Sequence, residues 1–309
     1  VMTAFRRFDA FPNDDPHYVG PVALGAPAHA LAPLSEADVV LVLGERLDEI
    51  TTGGYEFMRG ATVLHVLSDP PSLGTWGHRI MAVTASPVAF AKALASREVT
   101  PKDDGRVASL NSSWQQLGQP ETPFAEGGVN ISAALATVQR LAPADTAIVT
   151  DAGNFAGWVP RFYRFRQPHT HFAPLSGAMG YAAPAAVGVA LARQGRRVVA
   201  LAGDGGFAMT MNELATMKAL NVPVTMLVFV NNVHGTIRMH QQKHYPGRPV
   251  ATDLTNPSFR AVAEGFGLPA WTVTDNAEFD AAFAAALAVD GPALIEIMEG
   301  KERLSVWGK

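Results

Sequence analysis

Residues 198–232, VVALAGDGGFAMTMNELATMKALNVPVTMLVFVNN, constrain this chain more than any other stretch. An apolar strand, Arg197–Ala202, runs into Gly203-Asp204-Gly205-Gly206. A helix near Asn212–Leu220 follows, and a second apolar strand, Val222–Val230, ends on Asn231-Asn232. Strand, helix and strand in this order form a βαβ unit, whose two parallel strands deliver both loops to the same edge of a sheet. Asp204 and Asn231 can then aim oxygens at one cation. A carboxylate and an amide carbonyl suit a hard ion such as Mg²⁺ or Ca²⁺, which shares its shell with phosphate oxygens. The glycines around Asp204 let backbone N–H groups approach an anion, and the next helix points its positive end at it. This pattern describes a diphosphate site. A dinucleotide fingerprint is the competitor, but Gly-x-Gly-Gly-Phe-Ala does not fit G-x-G-x-x-G/A.

The rest of the chain supplies neighbours for that unit. Downstream of Asn130 the spacing predicts a helix at Ile131–Leu141, a strand at Ala147–Thr150, a loop at Asp151–Gly157 and a small-residue helix at Gly180–Gln194. After the loop that opens at Asn231 come a helix at Pro257–Phe266, a strand near Ala270–Val273, a helix at Glu278–Val289 and a strand at Ala293–Met298. Alternation of this kind implies an α/β fold with a doubly wound parallel sheet, which binds ligands at the carboxyl ends of its strands. Ahead of it lies a smaller, incomplete α/β unit. It has strands at Ala37–Leu43 and Ala61–Leu67, a turn at Asp69-Pro70-Pro71, and a helix at Ser86–Ala95 with Ser86 as N-cap and Pro87 in the first turn. The residues before Ala37 are coil-rich, a long arm for so small a sheet, and missing upstream sequence is expected. The division read from the chain is 1–97 for the first domain, 98–128 for a charged, Ser/Pro/Gly-rich linker with Trp114 packing it onto a domain, and 129–309 for the second domain.

Composition removes several function classes. With 24 Lys+Arg against 28 Asp+Glu, the net charge of −4 offers no basic face for nucleic acid. No apolar run reaches the roughly 18 residues of a membrane span; Val222–Val230, with Pro223 and Thr225, reads as a buried strand. No basic segment followed by an apolar one opens the chain, so a cytoplasmic location is expected. The absence of cysteine excludes disulfides and thiolate metal sites.

The segment from Gly-Asp-Gly to Asn-Asn resembles the diphosphate-binding motif of thiamine-diphosphate-dependent enzymes. More narrowly, the whole chain is similar to the later part of the acetolactate synthase, benzoylformate decarboxylase and pyruvate decarboxylase group. DAGNFAGW (Asp151–Trp158), SGAMGYAAP (Ser176–Pro184) and GTIRMH (Gly235–His240) resemble group segments in group order. The resemblance implies a partial central domain followed by the diphosphate-binding domain, with the pyrimidine-binding domain outside these residues. It implies thiamine diphosphate and Mg²⁺ as cofactors, with Asp204 as the first metal ligand. The second lies 27 residues on, at Asn231, and the third is the backbone carbonyl of Val233. The group's liganding Asn is usually the second of its pair, so Asn232 is the alternative. By the same resemblance Gly203, Gly205, Gly206, His234 and Gly235 surround the diphosphate, and Asn154 and Phe155 lie beside it. Gly177 offers its carbonyl to the aminopyrimidine, and Met179 is the apolar wedge that bends the cofactor into a V. Taken without the resemblance, Met179 reads equally well as core packing.

What the resemblance implies for function is action on a small 2-oxo acid by decarboxylation or carboligation, with the cofactor supplying the electron sink. The activating Glu belongs to the group's pyrimidine domain. It is expected from upstream sequence or another chain, within a homo-oligomer, since Glu213 reads as an ordinary helix residue. The alternatives are a truncated cofactor-binding module without turnover of its own and a nucleotide-binding dehydrogenase. FAD, which acetolactate synthases hold in the central domain, is not expected, for no flavin fingerprint is present. His169 and His171, two apart on a short strand, could face one metal but lack a third ligand. His240 and His244, four apart, read as a solvated helix face. Arg238 and Lys243 read either as candidates for a substrate carboxylate or as residues that simply solvate a mobile loop, and Arg46, after the Leu43-Gly44 strand end, is open in the same way.

Overall fold

The computed structural model describes residues 1–69, 79–98, 105–120, 128–300 and 304–307. It divides into two units, Val1–Phe5 with Pro16–Gln115, and Arg6–Asp15 with Gln116–Lys309. Among the described residues, no helix is long and apolar enough to cross a membrane.

The first unit is built on three parallel strands, β1 (Val39–Leu43), β2 (Thr62–Leu67) and β3 (Ile80–Thr84), side by side in chain order. Their core gathers Val42, Leu47, Met58, Ala61 and Val63. Helix α2 (Pro87–Ala95) starts where expected, with the Ser86 side chain accepting from Ala89 N at 3.4 Å. Three elements depart from the sequence reading. Helix α1 (Ala28–Ser35) lies inside the arm expected to be coil, with Pro33 in its interior and no buried residue to give it a periodic stripe. Strand β3 was not expected, and each of its residues keeps some exposure. Helix α3 (Arg106–Leu117) occupies much of the stretch read as linker. Its one buried side chain, Trp114, meets Tyr18 edge-on at 6.1 Å. Gly20, at φ +113, makes room for that ring, because a β-carbon there would sit 2.8 Å from Trp114 Cε3. A helix anchored by one aromatic ring has no apolar period to read. Pro70, Pro71 and linker residues 99–104 and 121–127 lie outside the described residues.

The second unit is the doubly wound parallel sheet. Its strands are β4 (Ala147–Thr150), β5 (His171–Phe172), β6 (Val198–Gly203), β7 (Val224–Val230), β8 (Ala270–Val273) and β9 (Ala293–Met298). They lie in the order β5-β4-β6-β7-β9-β8, all parallel. One face carries Val198, Ala200, Ala202, Val224, Met226 and Val228. These pack with residues of α6 (Ala182–Ala192), α7 (Asp204–Thr210), α8 (Glu213–Leu220) and α10 (Phe259–Gly265). The alternate residues Val199, Leu201, Leu227, Phe229 and Ile295 are equally buried toward the other face. Helix α11 (Asn276–Leu287) packs on β8 and β9, and α4 (Ile131–Leu141) packs with both α11 and α5 (Trp158–Phe162). Burial on both faces explains the unbroken apolar runs.

Residues 6–15 are fastened to this unit. Asn13 N donates to Phe165 O at 2.7 Å, and Phe165 N donates back to Asn13 Oδ1 at 3.0 Å. Asp9 Oδ2 accepts from Thr170 N and His171 N. Three loop readings become helical, the first being a 3₁₀ turn at Asn154–Gly157. Asp204 opens α7 directly from the end of β6, and Gly235–His244 form α9.

Candidate functional site

The chain reverses its direction of travel across the sheet between β4 and β6, since β5 lies beyond β4 while β7, β9 and β8 lie beyond β6. Crevices at such reversals bind ligands. The residue just past each of four consecutive strands is polar: Asp151 after β4, Asp204 after β6, Asn231 after β7 and Glu299 after β9.

Asp204 and the asparagine pair come together as the βαβ reading requires. Asp204 Oδ1 accepts from Gly205 N at 2.8 Å, and Oδ2 accepts from Asn232 N at 2.7 Å. Asn256 Nδ2 donates to Asp204 Oδ2 at 2.9 Å and to Asn232 Oδ1 at 3.0 Å. Asn231 Oδ1 accepts from Val233 N at 3.1 Å, closing a tight turn in which Asn232 holds φ 57. Burial pushes the Asp204 carboxyl above the usual carboxylate range, opposed by its bonds from Gly205, Asn232 and Asn256. Glu299 is pushed up to about 8, by burial first and the Asp204 charge second, with a hydrogen bond to the Asn231 side chain acting the other way. Two neighbouring carboxyls that are costly to ionise, beside amide oxygens, form a hard-donor corner that a divalent cation would neutralise.

The glycines beside this corner are required by close packing. A β-carbon on Gly205 would meet the His234 ring at 2.9 Å, and one on Gly206 would meet Asp151 Oδ2 at 2.8 Å. One on Gly203 would meet Phe155 at 3.3 Å, and one on Gly235 would meet Leu304 at 3.3 Å. Asn154 ties the end of β4 to α9, its Oδ1 accepting from Thr236 Oγ1 at 2.8 Å while its Nδ2 donates to Leu304 O. Val233 is buried, and His234 N donates to Thr252 O at 2.8 Å.

Asp151 organises the other half of the site. It accepts from Ala152 N at 2.7 Å, Gly180 N at 3.0 Å and Tyr181 N at 3.2 Å, so the loop carrying Gly177 and Met179 hangs from one carboxylate. Burial raises its pKa, and these backbone bonds oppose the rise. Gly177 and Gly180 take φ +74 and +81. Met179 is 39% exposed, as a residue outside the packed core should be. Phe155 stacks on Phe229 at 5.6 Å.

Asp151, Asn256 and Glu299 were not among the sequence candidates. Asp151 had a signal, as the first polar residue after an apolar strand. Asn256 had none, since it stands 52 residues from Asp204 and only the fold joins them.

The remaining candidates disperse. His171 is buried in β5, but His169 is exposed at φ 58 outside the strand, so the two do not form a pair. Among the described residues, no group of three His, Asp or Glu could hold a metal ion. His240 and His244 stack at 6.2 Å on α9, exposed as expected. Arg238 is engaged by Asp253 at 2.8 Å and by Thr252, which removes it as a ready carboxylate receptor. Lys243 is exposed, and Arg46 stands 4.0 Å from Asp69.

Comparison with known proteins covers most of the chain. Residues 151–297 match the model of the C-terminal TPP-binding domain of thiamine pyrophosphate enzymes, and residues 1–94 match the model of their central domain. Relatives include acetolactate synthase 2, chloroplastic, of Zea mays, 28% identical over 318 residues, with 96% of this chain and 49% of the relative covered. The acetolactate synthase large subunit of Parasynechococcus marenigrum is 29% identical over 304 residues, covering 96% and 49%. That of Porphyra purpurea is 27% identical over 304 residues, covering 96% and 51%. The chain spans about half the length of the curated relatives it matches.

Proposed function

Because the chain belongs to the thiamine pyrophosphate enzyme family, we propose that its β6–β7 corner holds the diphosphate of thiamine diphosphate through Mg²⁺. On this reading it is part of an enzyme that decarboxylates or carboligates a 2-oxo acid, as an acetolactate synthase does. The observation that carries the reading is the meeting of the Asp204 carboxylate with Asn231 and Asn232 across two adjacent strand ends. Asp204, Asn231 and the Val233 carbonyl would hold the ion, with Asn232 as alternative to Asn231. Gly205, Gly206, His234 and Gly235, which crowd the same corner, would surround the diphosphate. Asn154 and Phe155 shape its flank. Gly177 and Met179 would support the ring end, on a loop whose height above the sheet Asp151 sets.

When bound, thiamine diphosphate supplies the electron sink for breaking or making a carbon–carbon bond beside a carbonyl. The residues of this chain bind and orient it. The carboxylate that activates the cofactor's pyrimidine is assigned to a pyrimidine-binding domain beyond these residues, upstream or on another chain.

Calorimetry with thiamine diphosphate in the presence and absence of Mg²⁺, against NAD⁺ as control, tests the site. Binding is expected only with the metal, and Asp204→Ala should weaken it roughly 100-fold or more. Unchanged affinity in that variant removes the metal role from Asp204. CO₂ release from pyruvate, measured for this chain with and without a pyrimidine-domain chain, tests the reaction. Turnover is expected only in the mixture, and its absence there counts against a 2-oxo acid lyase or ligase.

A further inference from the structure

The two halves of the candidate site meet at Asp151. Its backbone is fixed in the sheet, where Asp151 N donates to Leu201 O of β6 at 2.9 Å. The residue is 1% exposed. Its side chain lies against the first turn of α7, since a β-carbon on Gly206 would stand 2.8 Å from Asp151 Oδ2. The loop that carries Gly177 and Met179 is exposed from Leu175 to Met179 and becomes buried at Gly180. There it is gripped from two sides. Gly180 N donates to Asp151 Oδ2 at 3.0 Å, and Thr210 Oγ1, at the end of α7, donates to Gly180 O at 3.1 Å. A β-carbon on Gly180 would press on Thr210 Cγ2 at 3.2 Å, so helix and loop are already in close contact at this point.

The other carboxylate oxygen, Oδ1, accepts from Ala152 N at 2.7 Å and from Tyr181 N at 3.2 Å. Both oxygens therefore face backbone N–H groups. An ionised carboxylate offers acceptors only, whereas an amide would turn two donors toward one of those groups. Hydrogen bonds to a charged acceptor are also stronger than neutral ones, and the Arg6 charge acts on the same carboxylate. One side chain thus joins the sheet, the helix that begins at Asp204 and the exposed loop.

We infer that Asp151, with Thr210, is a positioning residue: it sets the span between the diphosphate end of the site, at Asp204–Gly206, and the ring end, at Gly177 and Met179. This rests on the functional reading above, which puts the two ends of the cofactor at those residues. Asp151 and Thr210 act on the cofactor through the loop and not by touching it. The alternative, a bond that serves only the fold, predicts a loss that reaches both ends of the site equally or neither.

Calorimetry on the full 309-residue chain with Mg²⁺ compares two probes: thiamine diphosphate, which spans both ends, and inorganic pyrophosphate, which occupies the first alone. Wild type is expected to bind thiamine diphosphate more tightly than pyrophosphate. Asp151→Asn should weaken thiamine diphosphate roughly tenfold, the scale on which groups that orient a site from behind it act, and leave pyrophosphate within about twofold. Thr210→Val, which keeps the shape and removes the hydroxyl, should weaken thiamine diphosphate alone by about threefold. The same comparison of probes in Thr210→Val decides the matter if the Asn variant does not fold. Asp204→Ala should weaken both probes. Equal losses for the two probes in Asp151→Asn, no loss for either, or equal affinity for the two in wild type each overturns the proposal. Metal-dependent binding of neither probe by wild type overturns the functional reading itself, a result seen before any variant is compared.

Discussion

At the scale of single residues, the hinge of the site is an amide that carries no charge. Asn256 uses one nitrogen to hold both Asp204 Oδ2, at 2.9 Å, and Asn232 Oδ1, at 3.0 Å, and so fixes the spacing between the ends of β6 and β7. Groups that orient metal ligands without touching the metal typically alter affinity by about 10–100-fold. Asn256→Ala is therefore expected to weaken Mg²⁺-dependent thiamine diphosphate binding about tenfold, measured by calorimetry. It should also lower the stability of the unliganded chain by about 1 kcal/mol, because Asp204 Oδ2 and Asn232 Oδ1 each lose a donor. Asn212→Ala serves as control, since its side chain reaches only Glu213 from an exposed position. Equal effects of the two substitutions would remove Asn256 from the site. Asp204 Oδ2 would still accept from Asn232 N, so the predicted loss is partial.

At the scale of elements, β5 and the 6–15 segment form a small module with its own pH response. His171 lies between the Phe8 ring at 5.0 Å and the Phe165 ring at 4.9 Å, and burial takes its pKa down from 6.5 to about 4, with Asp9 acting in the opposite sense. The folded chain thus keeps this imidazole neutral where the unfolded chain protonates it. Its contribution to stability is whole above pH 6.5 and is lost as pH falls toward 4, by up to about 3 kcal/mol. Denaturant unfolding at pH 7, 5.5 and 4.5 should show this loss as a difference from His171→Phe, which fills the same aromatic stack without titrating. Parallel slopes in the two proteins would exclude His171 as the cause. Of this module only a short strand at His171 was legible in the sequence, for its packing depends on Asp9 and Thr170, which stand 161 residues apart. The sheet was legible, because β4, β6, β7 and β9 are buried nearly throughout and each carries its apolar run in the chain itself. The Gly-Asp-Gly and Asn-Asn ends were legible for the same reason, being polar residues that interrupt such runs. Helices α1 and α3 were not, since each is held by at most one buried residue and shows no stripe. Helix α9 buries none, so only the spacing of His240 and His244 marked it within the loop expected from Asn231.

At the scale of the whole molecule, the two units differ in how much apolar surface they bury. The core of the first is Val42, Leu47, Met58, Ala61 and Val63, and its strands leave Val39 at 66%, Leu41 at 38%, Leu43 at 41% and Met81 at 61% exposure. Parallel strands normally bury both faces, so this sheet keeps little of the stabilisation its composition could provide. The second unit buries whole strands, with Val198, Val199, Ala200 and Leu201 all at zero exposure. Units with separate cores open separately, each with its own free energy. Hydrogen exchange followed by mass spectrometry should therefore find β2 amides less protected than those of β6 and β7. Every residue proposed to hold the cofactor belongs to the second unit. Saturating thiamine diphosphate and Mg²⁺ should then stabilise that unit by about 2.7 kcal/mol at 100 times the dissociation constant, a roughly 100-fold slowing of exchange in β6 and β7. Exchange in β2 should be unchanged. Equal slowing in β2 would mean that the ligand engages the first unit as well, and slowing in neither would mean that the second unit alone does not hold it.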